Sequence, residues 1–331
     1  MPLGRGVVQV PNVAQLVALT KPRWRRRVVV TGVGIDLTDY TVAVPLDIRD
    51  RVSIKFPSVF VADEEGSVLP AVVDKYLWTL RTPVVWVKIP SLPANTTKAI
   101  YLYYGAVRPL RVFRYSDVFI YGDDFQDPGF SDAYWSVAVF GSPSVTRSYF
   151  GSALRIYGTF PGSSGYYLYK PSISYTPGKH TQIIWRTSYA DTYYADTPRL
   201  NAATDTAGRT VYVMFRTNTW RVYTWSSAEG AVSRASATGY YREYVVVDVY
   251  ITPSGVRFVI RSLEGAYTVL NYTFSTTPVN AVLRFGVFNY STTSYTLDTV
   301  FYQVFMRNYV SPEPGVEVGP EEEVYRYPDT M

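Results

Sequence analysis

Apolar and polar positions alternate with a period of two over short stretches of the chain, and the three-to-four-residue spacing of an amphipathic helix is nearly absent. Runs rich in β-branched and aromatic residues recur at Tyr40 to Ile48, Val84 to Ile89, Ala99 to Tyr104, Val211 to Arg216, Tyr244 to Ile251 and Val256 to Arg261, bounded by Pro, Gly, Asn and Asp. Strands of this kind bury one face each, which predicts an all-β chain of two antiparallel β-sandwich (jelly-roll) domains. Turn chemistry agrees, because Asp63-Glu64-Glu65-Gly66 and Pro253-Ser254-Gly255 each join two apolar runs as a hairpin would. One short helix is expected, from an Asn12 cap through Val13, Leu16 and Val17 to Leu19.

Breaks in the alternation divide the chain. Residues 1–23 read as an N-terminal arm and 24–110 as a first sandwich; a boundary falls between Tyr104-Gly105 and Tyr121-Gly122, and a second sandwich spans 118–310. Residues 311–331, Pro- and Glu-rich from Ser311-Pro312-Glu313-Pro314 onward, are expected as an extended acidic tail. The apolar arm, Val7 to Leu19, either packs on its own chain or completes a neighbour's sheet, which would make the protein a self-assembling subunit of a virion or extracellular filament.

Composition narrows the chemistry. The 331 residues include no Cys and one His, which removes disulfides, thiol nucleophiles, thiolate metal sites and most imidazole-based zinc chemistry. Charged residues reach 18%, below the roughly 25% usual in soluble domains, while aromatics reach 16% with 31 Tyr. Tyr offers contact area with little rotamer entropy to lose, which suits glycan binding or subunit contacts; β-sheets also favour Tyr and Thr for their own sake.

The net charge of +5 is unevenly placed. Arg5, Lys21, Arg23, Arg25, Arg26 and Arg27 precede the first acid, Asp36, and Glu313, Glu317, Glu321, Glu322, Glu323 and Asp329 crowd the other end. The two ends either attract one another, within a chain or between subunits, or are solvated tails. The Arg run is too short, and too far from any binding fold, to read as a nucleic-acid site. No segment reaches the 18 or so apolar residues of a membrane-spanning helix. The first residues make a poor secretory signal, because Pro11 and Asn12 interrupt the apolar part and the strongest positive run follows it. Absent Cys, only 4 Met, few Asn and Gln and 22 Pro fit a thermophilic source.

Several motifs carry a family likeness. Trp24-Arg25-Arg26-Arg27-Val28, Leu37-Thr38-Asp39-Tyr40-Thr41-Val42, Val61-Ala62-Asp63-Glu64-Glu65-Gly66 with Leu69-Pro70, Val85-Trp86-Val87-Lys88-Ile89-Pro90-Ser91-Leu92 and Ile100-Tyr101-Leu102-Tyr103-Tyr104-Gly105 lie in one block. That block, residues 24–105, resembles the "domain of unknown function 2341" of surface and secreted proteins of bacteria and archaea. Residues 118–310 are similar to a concanavalin A-like, laminin-G-type jelly roll through Asp123-Asp124-Phe125, Gly151-Ser152-Ala153-Leu154-Arg155, Leu283-Arg284-Phe285-Gly286, Leu297-Asp298-Thr299-Val300-Phe301 and Arg307-Asn308-Tyr309. The resemblance implies a non-enzymatic recognition protein displayed on a cell or virus particle, with carbohydrate or glycoprotein as partner, and it carries over no catalytic residue.

Candidate sites follow from the residues. Retaining glycoside hydrolysis needs two carboxyl groups about 5 Å apart, which laminarinase-type enzymes of this fold carry as Glu-x-Asp-x-x-Glu. That motif is missing and no Glu occurs between Glu65 and Glu229, so a glycoside hydrolase stands only as a third reading. His180, in Thr176-Pro177-Gly178-Lys179-His180-Thr181, reads as a turn residue without a catalytic role. Because the first and last strands of a jelly roll pair, Asp123, Asp124 and Asp298 form a candidate structural calcium site; otherwise they are turn and strand-end residues.

Sugar rings stack on flat aromatics, which singles out Trp220, Tyr223 and Trp225, with the last two on one face and Trp220 on the other. Tyr193-Tyr194 and Tyr240-Tyr241 lie among Asp, Thr, Ser and Gly and read as loop platforms. Asn95-Thr96-Thr97, Asn271-Tyr272-Thr273 and Asn289-Tyr290-Ser291 are candidate glycosylation triplets.

Overall fold

The alternating runs become strands, four of the six runs lying wholly inside a strand that is one to three residues longer. The computed structural model describes residues 13–46, 59–74, 84–105, 113–174, 178–187, 196–216, 219–238, 244–262, 267–275 and 278–324. In chain order the first elements are helix α1 (Val13–Thr20), strands β1 (Trp24–Thr31), β2 (Leu37–Pro45), β3 (Phe60–Asp63), β4 (Val68–Leu69), β5 (Ala71–Val73), β6 (Val84–Leu92) and β7 (Thr97–Tyr104), and the one-turn helix α2 (Tyr115–Val118). There follow β8 (Tyr121–Asp123), helix α3 (Pro128–Tyr134), β9 (Ser136–Phe140), β10 (Ser144–Tyr149), β11 (Leu154–Phe160), β12 (Ser164–Tyr169), β13 (Ile173–Ser174), β14 (Gly178–Thr187), β15 (Asp196–Asp205) and β16 (Thr210–Arg216). The last are β17 (Thr219–Ser226), β18 (Gly230–Thr238), β19 (Val245–Thr252), β20 (Gly255–Ser262), β21 (Tyr267–Thr273), β22 (Pro278–Asn289), β23 (Tyr295–Tyr309) and β24 (Gly315–Glu323). The chain divides into two units, residues 1–119 with 311–331, and residues 120–310.

The first unit holds a five-stranded sheet, β24-β1-β7-β3-β4, and a three-stranded sheet, β2-β6-β5. Its turns are those the residues announce: Gly66 closes the β3–β4 hairpin at φ 81, donating to the Asp63 carbonyl at 3.2 Å. The two charged ends of the sequence meet here. Strand β24 pairs antiparallel with β1 in the register Trp24↔Glu323, Arg25↔Glu322 and Arg26↔Glu321. Arg23, Arg25 and Arg26 consequently lie 3.6, 2.6 and 4.0 Å from Glu323, Glu322 and Glu321. Residues 315–323 are therefore an edge strand of the sheet and not an extended tail, and the ends attract one another within one chain. The Tyr104 hydroxyl accepts from Arg26 Nε at 3.0 Å and donates to Glu321 at 2.7 Å. Burial and that carboxylate acceptor push the Tyr104 phenol up to about 12.

Helix α1 begins one residue after the expected cap, Asn12, which lies outside the described residues. Leu16 is fully buried against Phe60, Ala62 and Tyr103 of the same unit, with Val17 and Val324 beside it. The described part of the apolar arm thus packs at home.

The second unit is an antiparallel β-sandwich. One eight-stranded sheet runs β10-β11-β23-β14-β19-β20-β21 with β8 paired to β23; the other runs β18-β17-β16-β15-β22-β12-β9 with β13 paired to β22. Between them lies one core, to which the first sheet gives Ile156, Trp185, Val247 and Phe301 and the second gives Leu200, Val213, Trp220 and Phe285. Each such side chain contributes roughly 1.5–3 kcal/mol of burial free energy. Pro253 and Ser254 form the two-residue connection between β19 and β20, whose ladder closes at Thr252↔Gly255.

Candidate functional site

Strands β12, β15, β16, β17 and β22 each send alternate residues to the core, so their other residues share the outward face of the second sheet. Leu200, Val213, Val222 and Phe285 point inward; Arg199 and Asn201, Tyr212 and Met214, Arg221 and Tyr223, and Arg284 therefore point outward. Pairing lines them up in two neighbouring rows across the strands. One row is Tyr223↔Tyr212↔Asn201↔Arg284↔Tyr169, and the next is Arg221↔Met214↔Arg199↔Gly286↔Tyr167.

Arg199 is the centre of this face. Only 9% exposed, it donates from Nε to Asn201 Oδ1 at 3.0 Å, from Nη1 to the Tyr167 hydroxyl at 3.2 Å, and from Nη1 to the Tyr290 hydroxyl. Its guanidinium lies 3.6 Å from the centre of the Tyr212 ring. Tyr212 stacks on Tyr223 with centroids 5.5 Å apart and planes within 8°, while Phe288 stacks on Tyr167 at 5.9 Å and meets Tyr290 at 4.1 Å. Burial drives the Tyr167 phenol well above its ordinary value, so it stays a neutral hydroxyl. Arg221 donates to the Tyr223 hydroxyl at 3.4 Å, and Arg284 sits over the Tyr169 ring at 5.5 Å.

Along β17 the expected parity holds: Tyr223 and Trp225 face outward and Trp220 inward. Trp225 is 45% exposed at the end of this aromatic series, a flat platform available to a ligand. Trp220 is a correction to the expected site. It is 1% exposed and packs on Phe215 at 5.0 Å and Trp185 at 5.8 Å, which makes it core. Tyr223 is on the proposed face but 7% exposed, with one ring face taken by Tyr212, so it shapes the site more than it offers a free platform. Tyr193, Tyr194, Tyr240 and Tyr241 lie outside the described residues.

The three candidate calcium ligands are not brought together. Asp123 pairs opposite Val304 on β23, six residues beyond Asp298, about 20 Å along an extended strand. Asp298 is bound through both oxygens by Arg155 at 2.8 Å, and Asp123 accepts from Trp135 Nε1 at 2.9 Å and from the Phe125 amide at 2.8 Å. Asp124 accepts from the Gln126 side chain. Burial raises the Asp123 carboxyl. Among the described residues no three carboxylate or imidazole groups cluster as metal ligands, and these three do not fit calcium.

His180 is a strand residue, not a turn residue. On β14 and 2% exposed, it accepts from Arg307 Nε at Nδ1 (3.0 Å), which leaves Nε2 as the N–H facing Asp248 Oδ1 at 2.9 Å. Gln182 donates to the same oxygen at 2.8 Å, Gln303 donates to Gln182 at 2.8 Å, and Arg261 holds the other Asp248 oxygen. Burial opposes the Asp248 charge, but the His180 hydrogen bond, the positive charge of His180 when it is protonated, the Arg261 guanidinium and the Gln182 bond outweigh it and hold the carboxyl at about 2. His180 and Asp248 are thereby engaged in a buried structural network. Of the glycosylation triplets, Asn95 and Asn271 are exposed. Asn289 is fully buried, with its amide donating to Phe160 and Thr293 carbonyls at 2.8 and 2.7 Å, so folding removes it from any modifying enzyme.

The residues missed by sequence reading are Arg199, Tyr167, Tyr212, Arg221 and Arg284. Their one local signal is parity, an Arg or Tyr standing at the polar position of an otherwise apolar strand.

A family model described as "Domain of unknown function (DUF2341)" matches residues 51–138. The match begins inside the block expected to carry it and runs past Gly105, so the Trp24 to Val42 motifs fall outside it. No curated protein matches the chain. Among solved structures, the chain is similar at 10% identity to a protein of unknown function from Shewanella oneidensis MR-1, over 56% of this chain and 84% of that one, with a TM-score of 0.41. The CBM2 module of the evolved Dit of Lactobacillus casei BL23 phage J-1 is similar at 10% identity, over 58% and 96%, with a TM-score of 0.40. Arcelin-5, a lectin-like defence protein from Phaseolus vulgaris, is similar at 11% identity, over 52% and 93%, with a TM-score of 0.35.

Proposed function

We propose that the second unit is a non-enzymatic carbohydrate-recognition module that holds a sugar chain on the outward face of its second sheet. The observation that carries this reading is Trp225, 45% exposed at the end of an aromatic series whose inner members, Tyr223, Tyr212 and Tyr167, are buried and held in place by Arg199 and Asn201. Aromatic faces take the C–H side of a sugar ring, and a few placed polar groups set its orientation. The cluster contains no carboxylate among the described side chains, so it lacks the acid and base that glycoside hydrolysis requires. A module of this kind serves a protein displayed where glycans are met, on a cell or a virus particle.

The test is a glycan and polysaccharide array with the whole chain and with Trp225→Ala. The reading expects a defined set of binders and at least a tenfold loss for the variant. A featureless array, or binding indifferent to Trp225, would overturn it.

A further inference from the structure

Resting on that reading, we infer that the sugar chain held on this face is acidic, a polysaccharide whose carboxylate or sulfate groups pair with Arg221 and Arg284, the two half-buried arginines on either side of Arg199. The warrant is a contrast between the arginines of this face and others of the same unit. Arg147, Arg155, Arg209, Arg234 and Arg261 each meet a carboxylate of the chain, namely Asp132, Asp298, Asp205, Glu229 and Asp248. Arg199, Arg221 and Arg284 meet none among the described residues: their contacts are phenol oxygens, an amide oxygen and aromatic rings.

A buried or half-buried cation is costly unless it is paired, and neutral acceptors return only part of its lost hydration. Arg221 Nε and Arg284 Nε have no hydrogen-bond partner, as is also true of Arg147 Nη1 and Arg261 Nε, so what sets Arg221 and Arg284 apart is the missing carboxylate. The Nη groups of such a guanidinium donate charge-assisted hydrogen bonds to a carboxylate or sulfate.

The spacing argues for a polymer. From Arg221 on β17 the strand order runs through β16 and β15 to β22, which carries Arg284, and Arg199 lies between them on β15. Three inter-strand steps span about 14 Å. One small acidic sugar cannot reach both guanidiniums, whereas a polymer can present acidic groups to each.

The experiment pairs each acidic polymer with its neutral counterpart: polygalacturonate against its methyl ester, and dextran sulfate against dextran. Binding by the whole chain is followed by affinity electrophoresis and calorimetry at low and high salt. Arg221→Gln and Arg284→Gln are compared with Arg257→Gln, an exposed arginine of the other sheet with the same change in charge.

At least one acidic polymer is expected to bind at least tenfold better than its neutral partner. Each site variant should lose at least threefold and the double variant at least tenfold, with a shallower salt dependence, and Arg257→Gln should change nothing. Equal binding to acidic and neutral polymers, or equal losses at all three arginines, would overturn the inference while leaving sugar recognition standing. Binding only to a single-stranded oligonucleotide would overturn the saccharide assignment, and no binder of either kind, together with a blank array, would remove the function it rests on. Circular dichroism of each variant separates a lost contact from a lost fold.

Discussion

Protonating Asp248 removes one defined portion of the second unit's stability. The group is 1% exposed, shares one oxygen with His180 and Gln182, and holds Arg261 with the other. Its carboxyl is held at about 2, against an ordinary value of 3.8. A depressed folded pKa contributes stability that is complete above the unfolded value and is lost as pH falls through the folded one, so the window runs from about pH 4 down to about pH 2. A difference of nearly two pH units corresponds to about 2 kcal/mol. For a unit of this size that is a fall of roughly 4–8 °C in the unfolding midpoint.

The assay is thermal unfolding between pH 7 and pH 2, read by the fluorescence of the buried Trp185 and Trp220, for the native chain and for Asp248→Asn. At pH 7 the variant should be less stable by about 3 kcal/mol, because Arg261 then faces an amide in place of a charge. Below pH 4 the gap should shrink by about 2 kcal/mol as the native chain loses what the variant never had. Parallel curves across that window would refute the assignment of the low pKa to this network. A gap at pH 7 that Arg261→Gln leaves unchanged in the Asp248→Asn background would refute the role given to that ion pair.

Three further outcomes are expected. Glu321→Gln should destabilise the first unit by about 1–2 kcal/mol in denaturant unfolding, and Tyr104→Phe should abolish most of that effect, since the two share one charge-assisted hydrogen bond. Trp220→Ala should cost about 3–5 kcal/mol through the void it leaves in the core, whereas Trp225→Ala, 45% exposed, should change the unfolding midpoint little. Chelator should leave the midpoint of the native chain unmoved, because Asp123, Asp124 and Asp298 are each engaged within the protein; a clear fall would show a cation site that these residues do not explain.

Strands were legible wherever one face is buried, because alternation is a property of the strand itself. The strand Gly315–Glu323 escaped because Pro320, three consecutive Glu and two Gly read as a solvated tail. What orders it is the Arg run of β1, nearly three hundred residues earlier, and that pairing is not written in either segment alone. His180 read as a turn residue because Pro177-Gly178 precede it, yet its surroundings come from β19 and β23. At the proposed site the parity of Tyr223 and Trp225 was readable along one strand. Arg199 was not, because Tyr167, Tyr212 and Tyr290 converge on it from three separate places in the chain.

The pairing of β1 with β24 also fixes an order of events during synthesis. Residues 120–310 are complete before Gly315 is made, so the second unit can fold while the first still lacks its edge strand. At about 5–20 residues per second, β1 waits roughly a quarter of a minute to a minute for its partner. Throughout that interval its outer edge, with Val28 and Val30 beside it, is open to any extended chain nearby. A nascent polypeptide that stalls before the acidic strand would carry a finished second unit and a first unit that still lacks its edge strand.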